Sequence, residues 1–267
     1  MARKFEIDIE KDYHALVVKN NDLIQKSRFS LSTQEQKIIL YLISKIEKDD
    51  EDFKLYRFKI KEFCDICGID KIGGKEYKSL KDSLKKIADK SLWITLPNGV
   101  DTLLRWIEKP YIDYTNGVIE IRLDRDMKPY LLQLKENFTS YEIFYTLVLR
   151  SKYSIRLYEL VKSIHYNELT PYETIFSIDE LKRLLGAENY NTFQHFKDRV
   201  FERAITEINI YSDKIIDFQY IKSGKRVSGV KIKVISKTPT DRMKTDLKIE
   251  YELGLNQMRL KEFIKRG

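Results

Sequence analysis

The sequence predicts an α+β chain in which one unit, helix–strand–helix–helix–hairpin, is written twice. Two observations carry this. Lys59–Ile69 (KIKEFCDICGI) and Ser177–Ala187 (SIDELKRLLGA) share a pattern: Ile, polar, Glu, apolar, an apolar pair three and four residues on, then Gly. Their flanks also match, with a long helix and a short β-like run before each, and a longer helix and β-strands after. This order is that of a winged helix, so a tandem duplication of two winged-helix domains is expected at an offset of roughly 120 residues. The expected division is 1–135 for the first domain, 136–238 for the second and 239–267 for a tail, with the join near residues 125–150.

The elements follow in order. In the first copy, Ser32 with Glu35 three residues on is a capping-box pattern opening a helix over Thr33–Glu47. FKLYRF (Phe53–Phe58) reads as the short strand. The short helix ends at Gly68, since glycine takes the left-handed C-terminal position without steric cost. Lys75–Lys90 forms the longer helix, with Tyr77, Leu80, Leu84, Ile87 and Ala88 as its buried set. SLWITL, a Pro97-Asn98-Gly99 turn, DTLLRWI and a second turn at Thr115-Asn116-Gly117 supply strands. In the second copy the helix is Lys152–Tyr166, capped by Ser151, and the strand is ETIF (Glu173–Phe176). The short helix ends at Gly186, and Asn191–Asn209 is the longer helix. Lys214–Ile221, a turn at Ser223-Gly224-Lys225-Arg226 and Val227–Ile235 form the hairpin.

Composition bounds the function. The chain has 267 residues, 42% hydrophobic and 12% aromatic, enough for packed cores. Its net charge of +8 points to a polyanionic partner. No apolar run approaches the roughly 20 residues of a membrane-spanning helix, and MARKFEIDIEKDYHA lacks an apolar signal core, so a cytoplasmic protein is expected. Cys64 and Cys67 are the only cysteines, and His14, His165 and His195 are far apart. A zinc site needs a second ligand pair, so packing cysteines and no metal or cofactor are expected.

The helix NTFQHFKDRVFERAITEIN (Asn191–Asn209) carries the functional signal. Wound at about 100° per residue, it gathers Phe193, Phe196, Val200, Phe201, Ala204, Ile205 and Ile208 in one broad arc. Thr192, His195, Arg199, Arg203 and Thr206 fall in a narrower sector, and Asp198, Glu202 and Asn209 in a third. A merely solvated helix interleaves its charges at four-residue spacing. Here the arginines sit together, away from the acids. In a helix-turn-helix the second helix enters the major groove, where an arginine fork can bond guanine at two points. Lys197 lies within the apolar arc, near enough to the helix start to reach a phosphate.

The second hairpin adds to this. From Lys222 to Lys237 there are six Lys or Arg and no Asp or Glu. Lys231 and Lys233 alternate with Val230, Ile232 and Val234, so one face is expected buried and the other basic. Lys222, Lys225 and Arg226 are candidate phosphate contacts in the wing. A solvated lysine face on an edge strand is the alternative. In the first copy the equivalent helix carries Lys75, Lys78, Lys81, Lys85, Lys86 and Lys90 but no arginine, and Lys75, Lys78, Lys81 and Lys85 are its candidate DNA contacts. The first domain is therefore expected to give phosphate or dimer contact, and the second to read sequence. Two such units in successive major grooves would cover a site of about 20 bp.

Three segments, Leu16–Ser44, Ser151–Ile164 and above all Ser177–Asp213 with its F-K-x-R-V-x-x-x-A-I-x-E-I-N run, resemble the iteron-binding plasmid replication initiators. The resemblance covers about Leu16–Lys237. It implies two winged-helix domains, binding to direct repeats at a plasmid origin, opening of adjacent AT-rich DNA and recruitment of host replication proteins such as an initiator and a helicase. It also implies a monomer–dimer equilibrium with repression of its own gene, and it carries Lys197, Arg199 and Arg203 over as DNA contacts. The tail beyond Pro239 falls outside it, with Met258, Leu260, Phe263 and Ile264 as an amphipathic end that docks on a partner or frays.

Rival classes read less well. A nicking initiator needs a histidine pair with one residue between, and an ATPase needs GxxxxGK[ST]. Gly73-Gly74-Lys75 and Ser223-Gly224-Lys225 imitate the latter without its spacing. The seventeen tyrosines read as core and interface residues. The chain is not expected to be an enzyme. A winged-helix transcriptional repressor without initiator role shares the DNA chemistry and stays open, as does an interaction protein with no affinity for DNA.

Overall fold

The computed structural model describes residues 3–4, 9–69, 76–96 and 98–255 of the chain. The chain packs as two units, 1–143 and 144–267.

In the first unit the principal elements include β1 (Leu16–Asn20), α1 (Thr33–Ile43), β2 (Tyr56–Lys59), α2 (Ile60–Cys67), α3 (Glu76–Asp89), β3 (Ser91–Thr95), β4 (Asp101–Arg105), β5 (Tyr111–Asp113), β6 (Val118–Ile121) and β7 (Phe138–Glu142). The capping box is formed: Ser32 Oγ accepts the Glu35 N–H (3.2 Å) and Glu35 Oε2 accepts the Ser32 N–H (2.8 Å). α1 stops at Ile43, short of the expected Glu47: the Lys45 and Ile46 N–H groups turn to the Leu42 and Ile43 carbonyls three residues back (3.2 and 3.0 Å), and the Glu47 N–H is then taken by Asp50 Oδ2 (2.9 Å). α2 ends at Gly68 with φ +64°, as glycine permits. Tyr41, Phe58 and Phe63 form the aromatic centre, with ring centroids 5.3 to 5.8 Å apart. Cys64 and Cys67 are buried and unbridged, and burial pushes the Cys67 thiol well up.

The β part of this unit is more elaborate than its counterpart. β2 pairs with β6, which pairs with β5 across the Asn116-Gly117 turn. β3 and β4 pair with each other as an additional hairpin. The helical half of the unit recurs; the strands do not recur one for one. β7 pairs with β1, which holds residues 136–143 in the first unit and moves the boundary from the expected 135/136 to 143/144.

The second unit contains α4 (Lys152–Ile164), β8 (Tyr172–Ser177), α5 (Ile178–Leu185), the continuous helix α6 (Phe193–Phe196, Lys197–Phe201 and Glu202–Tyr211), β9 (Lys214–Ser223), β10 (Arg226–Ser236) and α7 (Pro239–Glu252). Its sheet has the order β9–β10–β8. Ser151 caps α4 by accepting the Tyr153 N–H, Ser177 caps α5 by accepting that of Glu180, and Gly186 closes α5 with φ +67°. Val230, Ile232 and Val234 are fully buried, as alternation requires. Gly229 has no room for a side chain: a Cβ there would sit 2.9 Å from the Phe176 carbonyl oxygen.

Two polar devices organise this unit. Buried Arg156 donates from Nε and Nη2 to the Leu184 carbonyl (3.2 and 2.7 Å), tying α4 to the end of α5. Burial lowers its pKa to about 10, still charged at neutral pH. Lys162 and Lys214 both reach Glu168 (2.7 and 3.0 Å), and Lys162 also reaches Asp213 (3.1 Å).

α7 is part of the unit, not a separate tail. Ile249 is buried, Arg242 Nε donates to Tyr145 Oη (2.7 Å), and the Tyr211 hydroxyl donates to Glu252 (3.2 Å). Met258, Leu260, Phe263 and Ile264 lie outside the described residues.

Candidate nucleic-acid interface

α5 and α6 form the helix-turn-helix. Thr192 caps α6, its Oγ1 accepting the His195 N–H at 3.3 Å. The loop between the helices is pinned by Lys182 Nζ, which donates to the Tyr190 carbonyl (2.7 Å).

The phase of α6 differs from a regular wheel. Lys197–Phe201 is one turn of π-helix. Residues five apart sit about 140° apart in a regular α-helix. Here Phe196 and Phe201 are both fully buried and stack at 6.2 Å with planes 16° apart. The wider turn swings the second half of the helix back, so the broad apolar arc contracts to a compact core face. Val200, Ala204 and Ile208 are fully buried on that face, while Phe193 is half-buried.

Thr192, His195, Arg199, Arg203 and Thr206 are all exposed. The expected polar sector is exposed, but it is not clear of acids as expected, since Glu207 stands four residues beyond Arg203 and faces it, and its members differ in freedom. Among the described residues Arg199 makes no side-chain hydrogen bond or ion pair. Arg203 Nε lies 3.5 Å from Glu207 Oε1. Thr206 Oγ1 is turned back to the Glu202 carbonyl (2.9 Å). Lys197 does not join this sector. It is half-buried among acids, with Nζ 3.7 Å from Glu202 Oε1 and 3.9 Å from Asp198 Oδ1. Its charge is largely answered within the protein.

The wing corrects the expected basic face. Lys231 pairs with Glu173 of β8 (2.7 Å), and Lys233 lies opposite Asp217 on one side and Glu173 on the other. The middle of the hairpin is thus neutralised. The open positive charge is at its tip, where Lys222, Lys225 and Arg226 are exposed and Gly224 makes the turn at φ +61°. A bulge between Ile221 and Lys222 adds twist there. Lys237, the last basic residue of the run, is spent internally on the Asn209 carbonyl (2.7 Å) and Thr245 (2.8 Å).

Sequence reasoning missed how helix and wing are joined. Phe193 meets Tyr220 and Phe201 meets Phe218 edge-on across the α6–β9 interface, at 5.3 and 5.2 Å. Tyr220 Oη donates to Glu202 Oε1 (3.0 Å). Asn209 exchanges hydrogen bonds with the Ile216 backbone. The available signal was the third sector, Asp198, Glu202 and Asn209. Two of its three members, Glu202 and Asn209, face the strand that follows.

In the first unit, Lys78, Lys81 and Lys85 are exposed on α3, with Lys85 paired to Asp89 one turn on. Lys90, at the end of the same segment, is bound to the buried Glu35 carboxylate (2.6 Å) and serves the fold. Lys75 lies outside the described residues. Among the described residues no cluster of His, Cys, Asp or Glu is arranged to hold a metal ion, and no helix is long and apolar enough to cross a membrane.

This arrangement has counterparts among known proteins. Residues 16–162 match the family model described as initiator replication protein, WH1, and residues 177–234 that described as initiator Rep protein, WH2. The PI protein of Escherichia coli is 29% identical over 134 residues, taking in 45% of this chain and 44% of that relative. The match thus spans less than half of the relative's own length. A crystal structure of Pi initiator protein in complex with iteron DNA superposes with a TM-score of 0.65 at 20% identity, covering 84% of this chain and 98% of that one.

Proposed function

The chain belongs to the initiator replication proteins with two winged-helix domains, and from that premise we propose that it is a plasmid replication initiator that binds direct repeats at its origin. The observation that carries this is the second unit's exposed arginine face on α6 beside an open cationic wing tip. A helix with Arg199 and Arg203 fits the major groove, and Lys222, Lys225 and Arg226 suit the flanking phosphates. Lys78, Lys81 and Lys85 of α3 supply a second, less specific contact surface. The reading assigns work by binding rather than catalysis: repeat recognition, strain on adjacent AT-rich DNA and recruitment of host replication proteins, with repression of its own gene by the dimer. The relative in the solved complex is named as an initiator on iteron DNA, which supports this reading.

Fluorescence anisotropy across a salt series, with duplex flanking the chain's own gene and random duplex, tests it. With about six phosphates neutralised, log K falls against log salt with a slope of roughly −5. The native chain prefers the flanking repeats, and R199A/R203A loses that preference while keeping weak binding. Equal binding to both duplexes by the native chain defeats the proposal.

A further inference from the structure

The two exposed arginines of α6 are held differently, and the difference lies in Glu207. This side chain is only 14% exposed, one helical turn beyond Arg203. Its Oε2 accepts the backbone N–H groups of Arg150 (3.0 Å) and Ser151 (3.1 Å). Ser151 is the cap of α4, so this oxygen is bound to the scaffold at the positive end of a helix. The other oxygen, Oε1, faces Arg203 Nε at 3.5 Å. The approach is through Nε, and among the described residues the two Nη groups of Arg203 make no hydrogen bond. Arg199 has no such tether.

We infer that Glu207 is a positioning residue that orients the Arg203 guanidinium for reading a base, and that Arg199 is left as an adaptable contact. This rests on the DNA-reading role proposed above. Two physical effects follow from one carboxylate. A tethered fork has fewer conformers to lose when it meets a guanine edge, which favours bidentate bonding. A negative charge behind that fork also weakens its pull on any phosphate, which discourages binding at random sites. Glu207 thereby trades general affinity for discrimination.

Selection from a duplex library with a random core tests this, using the full chain as wild type, E207Q, R203A and R199A. Binding of each to the selected and a scrambled duplex follows, with a thermal melt of each protein. In E207Q the amide oxygen still accepts from Ser151, but the hold on Arg203 is gone. E207Q and R203A lose base preference at the same position of the selected site, and R199A does not. E207Q lowers the preference for the selected over the scrambled duplex by about tenfold, with scrambled binding equal or tighter. Adding E207Q to R203A changes base preference no further. E207D, which keeps the charge but shortens the reach, carries the same expectation at that base. S151A is the structural control: it loosens the same end of α4 without touching Arg203, and leaves the selected site unchanged. An E207Q site identical to wild type, an equal loss on both duplexes, or additive effects with R203A overturns the inference alone. A wild-type chain that selects no site overturns the DNA-reading role and this inference with it.

Discussion

Asn209, near the end of α6, pairs with the backbone of Ile216 as a neighbouring strand would. Its Nδ2 donates to the Ile216 carbonyl (3.0 Å) and its Oδ1 accepts the Ile216 N–H (2.7 Å). One side chain thus sets the angle between the helix and the hairpin that follows it. N209A leaves both backbone groups without partners in a part-buried site, at a cost of about 1–3 kcal/mol. N209D keeps the acceptor and loses the donor, and falls between. Urea melts measure this; an N209A midpoint equal to wild type would remove Asn209 from this role.

Gly229 and Gly224 separate crowding from backbone conformation. At Gly229 a new Cβ meets the Phe176 carbonyl oxygen at 2.9 Å, so β8 and β10 must part. G229A is expected to destabilise by about 1–3 kcal/mol. At Gly224 there is open space but φ is +61°, and G224A costs about 1–2 kcal/mol through left-handed backbone strain. Thermal melts of the two should show loss in each. Only G229A should also speed amide exchange along β8.

Acid stability depends on Glu168. Burial raises its pKa, but hydrogen bonds from Lys162 and Lys214 outweigh that and hold it at about 2, against an ordinary value of 4.5. A depressed carboxylate contributes stability that is fully present above its unfolded value and lost as pH falls toward its folded one. Thermal midpoints of wild type should therefore drop between pH 4.5 and about 2. E168Q should already be less stable at pH 7, with a flatter profile through that window. Parallel profiles for the two proteins would contradict the assignment.

The wing tip and the wing middle should differ in salt response. Lys222, Lys225 and Arg226 are exposed at the tip. Replacing all three with alanine is expected to reduce the steepness of log K against log salt by about 2 to 3 units, with little change in melting temperature. K231A removes a lysine already paired with Glu173, and should change the slope by less than about one unit. A larger effect from K231A than from the triple substitution would relocate the contact to the hairpin face.

Much of the architecture was legible because it is written in local chemistry. Ser32 and Glu35 cap one helix, Ser151 another, and Gly68 and Gly186 close the two short helices where a left-handed residue is needed. Alternation of Val230, Ile232 and Val234 with lysines marked the buried face of the hairpin. These signals lie within a few residues of each other, so the two winged-helix units and the exposed arginine face of α6 could be read from order and spacing alone.

What needed the folded chain were relationships between residues distant in sequence or dependent on helix phase. Sequence alone determined that Arg199 and Arg203 stand outside the core; packing of Phe196 against Phe201 decided the π turn that sets their direction. Sequence alone determined a run of basic residues in the hairpin. Pairing of Lys231 with Glu173 on another strand, and of Lys237 with the Asn209 carbonyl, decided which of those charges remain open. The physical reason is common to all of these. A regular wheel assumes about 100° per residue, and a charge count assumes every ion faces water. Tertiary contacts overrule both, because burying a pair of aromatic rings or satisfying a carboxylate outweighs a local departure from ideal geometry.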